Sequence, residues 1–184
     1  MYKDNSLVPS EAVRLAALGL LARAPRSYAD LARDIRHITS RIAGPSLDLL
    51  GPSLELLKVE GLIDTEDSRP PHDAQFMRLA ESGRSELHRL MTTQLRGPMG
   101  EVNKLIVALK LHFFDVLSVE DRRAQCEMLE ESCEKELTRL LDLRQNQAGS
   151  MGANQGGHLI PWLDHDISEV EARRDWFRKL RASL

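Results

Sequence analysis

Arg33, Arg36 and Arg41, followed by Lys58 and Arg69, are the side chains of this 184-residue sequence best suited to one chemistry, the neutralisation of phosphate. A guanidinium offers five donors in a rigid fork that matches phosphate oxygens. Ser53 and Glu55 lie among them, where a hydroxyl can donate and a carboxylate can only accept. The overall charge works against that chemistry. The chain carries −3, with Lys+Arg 12 against Asp+Glu 13 over residues 1–95 and 13 against 15 over residues 96–184, so any attraction to a polyanion must come from local placement.

Other chemistries are poorly represented. There is no Gly-x-Ser-x-Gly elbow, no phosphate loop ending in Gly-Lys-Ser/Thr and no His pair at metal spacing, so the expectation is a non-enzyme without metal or cofactor. Asp164-His165-Asp166 has the residue types of general-base catalysis, but neighbours on a helix point in different directions, and a charged first turn is the simpler reading. Gly149-Ser150-Met151-Gly152 reads as linker rather than phosphate cradle. Cys126 and Cys133 stand seven apart on one helical stretch, about 10 Å between Cα atoms, beyond the ~7 Å reach of a disulfide. They are expected to be reduced packing residues. No apolar run approaches the ~20 residues of a membrane span, and Met1-Tyr2-Lys3-Asp4-Asn5 does not open a secretory signal. A cytoplasmic address follows.

The candidate phosphate contacts need elements to hold them. Ala12, Leu15, Ala16, Leu18, Leu20 and Leu21 make a first helix that is apolar on most sides and stops at Ala24-Pro25. Ser27-Tyr28-Ala29-Asp30 is a capping box, after which Leu31, Ile35, Ile38 and Ile42 repeat at helical spacing. The opposite side of that second helix carries Arg33, Arg36 and His37, with Arg41 to one side. A third helix places Leu50, Leu54 and Leu57 in phase, with Pro52 in its first turn and Gly61 as a left-handed stop. Its outward side then holds Leu49, Pro52, Glu55, Leu56 and Val59. Leu62-Ile63-Asp64-Thr65 and Gln75-Phe76-Met77-Arg78-Leu79 read as a hairpin whose loose tip contains Ser68-Arg69-Pro70-Pro71. A fourth helix follows from Ala80 to Arg96.

From Gly100 the pattern becomes one long helix, with Val102, Leu105, Ile106, Leu109, Phe113, Val116 and Leu117 forming more apolar surface than a small lobe needs. Ser118-Val119-Glu120-Asp121 opens another helix, striped with Cys126, Leu129, Cys133, Leu137 and Leu140. Residues 146–157 read as a flexible linker, and the last helix runs from Pro161 to Ala182. The expected fold is mainly α: a winged helix-turn-helix with a two-stranded wing over residues 1–96, and a long-helix dimerisation arm over residues 99–184.

Particular runs carry a family resemblance. Leu18-Gly19-Leu20-Leu21, Ser27-Tyr28-Ala29-Asp30-Leu31, Leu50-Gly51-Pro52-Ser53-Leu54, Leu57-Lys58-Val59-Glu60-Gly61-Leu62-Ile63 and Met77-Arg78-Leu79-Ala80-Glu81-Ser82-Gly83-Arg84 are similar to the PadR-like family of bacterial transcription regulators. The likeness continues through Leu111-His112-Phe113-Phe114-Asp115 and from Glu169-Val170-Glu171 to Trp176. It implies a homodimer that binds double-stranded DNA, with Arg33, Arg36, Arg41, Ser53, Glu55, Lys58 and Arg69 as candidate contacts. The family usually carries Tyr in place of Gly51, and polar or basic residues in place of Glu55, Leu56 and Val59. An acidic third helix, and a wing with Asp64, Glu66, Asp67 and Asp73 around Arg69, would weaken that binding.

The dimer interface is expected at Leu105, Leu109, Phe113, Leu163, Ile167, Val170, Phe177 and Leu180, the alternative being that the first of these faces packs on the chain's own last helix. Trp162, Trp176, Phe113 and Phe114 could line a pocket for a small aromatic effector, with core packing as the plainer alternative. A second function stands beside DNA binding: a regulatory adaptor in which Leu49, Pro52, Leu56 and Val59 dock a protein partner.

Overall fold

A computed structural model describes residues 9–42, 50–66, 76–95, 99–150 and 157–184, which belong to two compact units, Met1–Leu117 and Ser118–Leu184. The first is organised around α1 (Pro9–Arg23), where Ala12, Val13, Leu15, Ala16, Ala17 and Leu18 are fully buried. A helix apolar on nearly every side is stable only at the centre of a core. Around it pack α2 (Tyr28–Ile42), α3 (Leu50–Val59), α4 (Glu81–Thr92) and α5 (Glu101–His112).

Local signals set the ends of these helices as the sequence requires. Ser27 Oγ accepts from the Asp30 backbone N–H at 3.1 Å and donates to the Asp30 carboxylate at 2.8 Å, closing the capping box of α2. After α3, Gly61 takes φ +67°, its N–H donates to the Lys58 carbonyl and the Leu62 N–H to the Leu57 carbonyl, both at 2.9 Å. That is a Schellman stop, with Leu57 and Leu62 buried together beneath it.

The wing strands β2 (Ile63–Glu66) and β3 (Phe76–Leu79) pair antiparallel, with Ile63 opposite Leu79 and Glu66 opposite Phe76. The sheet has a third member that the expected hairpin lacked. Residues Arg26–Ser27 form β1, which pairs with Met77 and Phe76 and makes the strand order β1-β3-β2. This pairing ties the entry to α2 directly to the wing.

The compact units divide at Leu117, whereas the sequence placed the boundary near residues 96–99. The reason is α5. Its Leu105, Ile106 and Leu109, with Phe113, lie in the same hydrophobic core as α1. Nor is α5 part of one long helix to Leu117: it ends at His112, and Phe114–Val116 form a 3-10 turn, η1. Phe113 then folds back against Gly19, where a Cβ would come within 2.5 Å of its ring. Arg23 covers the same ring at 5.1 Å and donates to the His112 carbonyl at 2.6 Å.

The second unit is a pair of helices, α6 (Val119–Ser150) and α7 (Leu159–Ala182). Ser118 Oγ accepts from the Asp121 N–H at 3.0 Å, the second capping box. Cys126, Leu129, Cys133 and Leu137 of α6 are buried, as are Leu163, Ile167, Val170 and Phe177 of α7. Ion pairs join the helices along their length: Arg173 with Glu136 at 3.5 Å, Arg181 with Glu130 at 2.9 Å, and Arg144 with Asp164. Helix α6 continues through Ser150, so residues 146–150 are not linker. Gln145, Gln147 and Ala148 have good helix propensity, and Asn146 bonds back to Asp142 at 3.2 Å. Residues 151–156 lie outside the described part.

Candidate nucleic-acid interface

The helix-turn-helix pair is oriented by what it buries. Leu31, Ala32, Ile35 and Thr39 turn α2 inward, which leaves Arg33, Arg36, His37 and Arg41 exposed on its other side. Arg33 is held between Asp30 at 2.7 Å and Asp34 at 3.5 Å. Hydrogen bonding from Ser27, then the charge of Arg33, keeps the Asp30 carboxyl below its ordinary value, so Arg33 is partly neutralised in place. Arg36 and Arg41 are exposed without an ion pair to a described residue. Of the α2 arginines these two have donors to offer a phosphate.

Leu54 and Leu57 are buried and fix the rotation of α3, as the leucine spacing requires. Glu55, Leu56 and Val59 therefore face outward, with Leu56 48% and Val59 84% exposed. Lys58, the one cationic residue in α3, lies 3.4 Å from the Glu55 carboxylate and 6.0 Å from the Tyr28 ring. Its charge is engaged before any ligand arrives. The Ser53 side chain and Arg69 lie outside the described part.

Behind α3, a network of charges holds the helix and the start of the wing in place. Arg14 of α1 grips Glu60 with both terminal nitrogens at 2.8 Å and touches Glu86 of α4 at 3.3 Å. Arg89 donates to the same Glu86 carboxylate at 2.7 and 2.9 Å and reaches Glu11 at 3.3 Å. Hydrogen bonding from Arg89, opposed by burial and reinforced by Arg14, lowers the Glu86 pKa. Apart from the Arg89 pair with Glu86 within α4, these contacts do not follow from local spacing, because their partners are 46 to 78 residues apart.

Two residues near this surface were not singled out from sequence. Arg78 is exposed on β3 opposite Asp64, and strand alternation with buried Met77 is the signal that marks it. Tyr28 is exposed beside Lys58, a placement that depends on how α2 crosses α3.

The other candidates separate. Leu105, Leu109 and Phe113, expected at a dimer interface, are fully buried within the first unit of a single chain and have no surface left to give. Leu163, Ile167, Val170 and Phe177 are likewise buried in the second unit, where α7 packs on α6, and Leu180 is half-buried. Of the aromatic candidates, Phe113 is closed off and Phe114 packs against the first core. Trp162 and Trp176 are 62% and 50% exposed. They stand fourteen positions apart on α7, about 21 Å of helical rise, too far for one small ligand to touch both within a chain. Asp164 pairs with Arg144 while His165 packs on Trp162 at 5.8 Å, so the Asp-His-Asp run is dispersed. No described helix is long and apolar enough to cross a membrane.

A family model described as "Putative AphA-like transcriptional regulator" matches residues 2–181. The chain belongs to this family. It is thus an AphA-like transcriptional regulator, and the winged-helix topology is the DNA-binding fold that such a regulator requires. Curated protein sequences give no match. Among solved structures, Bacillus subtilis PadR in complex with operator DNA is similar at 19% identity over 92% of this chain and 97% of that one, with a TM-score of 0.40. The same protein in complex with p-coumaric acid gives 19% identity, 97% and 98% coverage and a TM-score of 0.41. A PadR-like transcriptional regulator from Bacillus cereus gives 18%, 92% and 94%, and 0.42.

Proposed function

We propose that this AphA-like regulator binds duplex DNA as a homodimer, with α3 entering the major groove and Arg36 and Arg41 of α2 anchoring the flanking phosphates. The observation that carries the reading is the orientation of the helix-turn-helix: Leu54 and Leu57 inward, Leu56 and Val59 outward, and two exposed arginines on the adjoining helix that pair with no described residue. Phosphate contacts from so few cations give modest, salt-sensitive affinity. In an electrophoretic shift against the protein's own upstream region, a retarded complex at submicromolar protein and low salt is expected. Failure of every fragment below micromolar protein would remove the proposal.

For the dimer, the tryptophans give the support. Trp162, Trp176 and Leu180 fall within about 40° of one another on α7, to one side of its buried stripe. A second copy of the chain covering that side would bury both indoles. An aromatic effector, as in the PadR complex with p-coumaric acid, could be contacted here by Trp162 or Trp176 but not by buried Phe113.

One observation favours a second reading. Because α3 exposes two aliphatic side chains and no disengaged cation, its outward face could dock a protein in an adaptor role. Leu56→Glu separates the two: a protein partner retained by the parent and lost by the variant, with no DNA shift by either, would favour the adaptor.

A further inference from the structure

The outward face of α3 lacks the groups that read most bases. Lys58 is engaged by Glu55 and turned toward Tyr28, and Leu56 and Val59 are fixed outward because Leu54 and Leu57 hold the opposite side in the core. Two aliphatic side chains cannot make the bidentate hydrogen bonds with which Arg reads guanine or Asn reads adenine. The major groove displays one apolar group they can recognise, the C5 methyl of thymine. Glu55, an acceptor only, is repelled by the N7 and O6 acceptors of guanine.

We propose, resting on the reading of the winged helix as a DNA-binding unit, that Leu56 and Val59 are specificity-determining residues selecting duplex sites that present thymine methyls to α3, with Glu55 disfavouring guanine beside them. Charge complementarity brings this apolar face to a groove rather than to another surface: α2, which packs on α3, exposes Arg36 and Arg41, cations of the kind that meet the phosphates bordering a groove. Each methyl buried against an aliphatic side chain is worth about fourfold in affinity. Selectivity therefore accumulates from contacts that are individually weak.

The test uses the full chain and a duplex it enriches from a random pool. Thymines in that duplex are replaced one at a time by uracil, which differs only in lacking the C5 methyl. For the parent protein, Kd rises about fourfold at one or more positions. In Leu56→Ala or Val59→Ala, both exposed sites, the uracil effect at the matching position falls away, because the side chain that met the methyl is gone. Indifference of the parent to every uracil, or an equal uracil effect in parent and variants, overturns the proposal while leaving DNA binding intact. Enrichment of no duplex at low salt overturns the DNA-binding reading, and this proposal with it.

Discussion

Gly19 lacks a side chain where the Phe113 ring fills the space one would need, with three ring carbons 2.5 to 2.7 Å from the position of a Cβ. Gly19→Ala should cost about 1–3 kcal/mol through overpacking, measured as a lower urea midpoint, and the loss should be relieved in part by Phe113→Leu. Gly83 is tighter still, since a Cβ there would lie 2.1 Å from the Leu62 carbonyl oxygen, which belongs to backbone and cannot turn aside. Both glycines sit in runs that carry the family resemblance, yet their reason is invisible in sequence, because each partner belongs to another element. Lys110 was passed over for a similar cause. A lysine among apolar neighbours reads as a solvated position, but this one is 1% exposed and donates to the Thr93 carbonyl at the end of α4. Burial lowers its ammonium from 10.5 to about 7. A base with a depressed folded pKa binds fewer protons folded than unfolded above that value, so stability should rise with pH from about 7. Cys126 and Cys133, pushed above their ordinary 9.0 mainly by burial, act in the opposite sense only above that pH. Between pH 7 and 9, denaturant unfolding of the parent should therefore show a rising stability that Lys110→Met lacks; equal slopes would show that Lys110 stays charged in the fold.

Elements whose ends are set by near neighbours were the legible ones. The capping boxes at Ser27 and Ser118, the stop at Gly61 and the inward Leu54 and Leu57 of α3 each involve residues within one or two turns, and all stand where their spacing requires, the Leu50 side chain lying outside the described part. Ser27→Ala should cost about 1 kcal/mol by leaving an α2 N–H without its acceptor, read as a shifted midpoint with an unchanged denaturant slope. What was not legible depends on distance. Strand β1 is two residues long, and its partners lie about fifty positions onward at Phe76 and Met77. The break after His112 depends on Phe113 finding Gly19, and the extension of α6 through Ser150 is supported by the Arg144 pair with Asp164 on α7. Composition alone had read residues 146–157 as linker, because Asn, Gln and Gly there outweigh the apolar stripe.

At the scale of the whole molecule, the surplus apolar face read at residues 102–117 is absorbed by the first unit's own core, which moves the domain boundary to Leu117. The proposed dimer consequently rests on Trp162 and Trp176 with Leu180, and not on buried Leu105, Leu109 and Phe113. Trp176→Glu should shift the oligomeric mass in light scattering toward a monomer, whereas Leu105→Ala should lower stability by about 2–5 kcal/mol as a core deletion and leave the mass unchanged. The same division of labour holds for the proposed interface with DNA: α1 and its charge network position α3, and the exposed cations assigned to phosphate, Arg36 and Arg41, lie on α2. The most direct measurement is the salt dependence of binding to random duplex for the parent and for Arg36→Gln with Arg41→Gln. The parent should give a linear fall of log K with log salt, and the variant a slope shallower by about one for each arginine removed. A parent that binds no duplex at low salt, or a slope that the two substitutions leave unchanged, would contradict the assignment of this surface to nucleic acid.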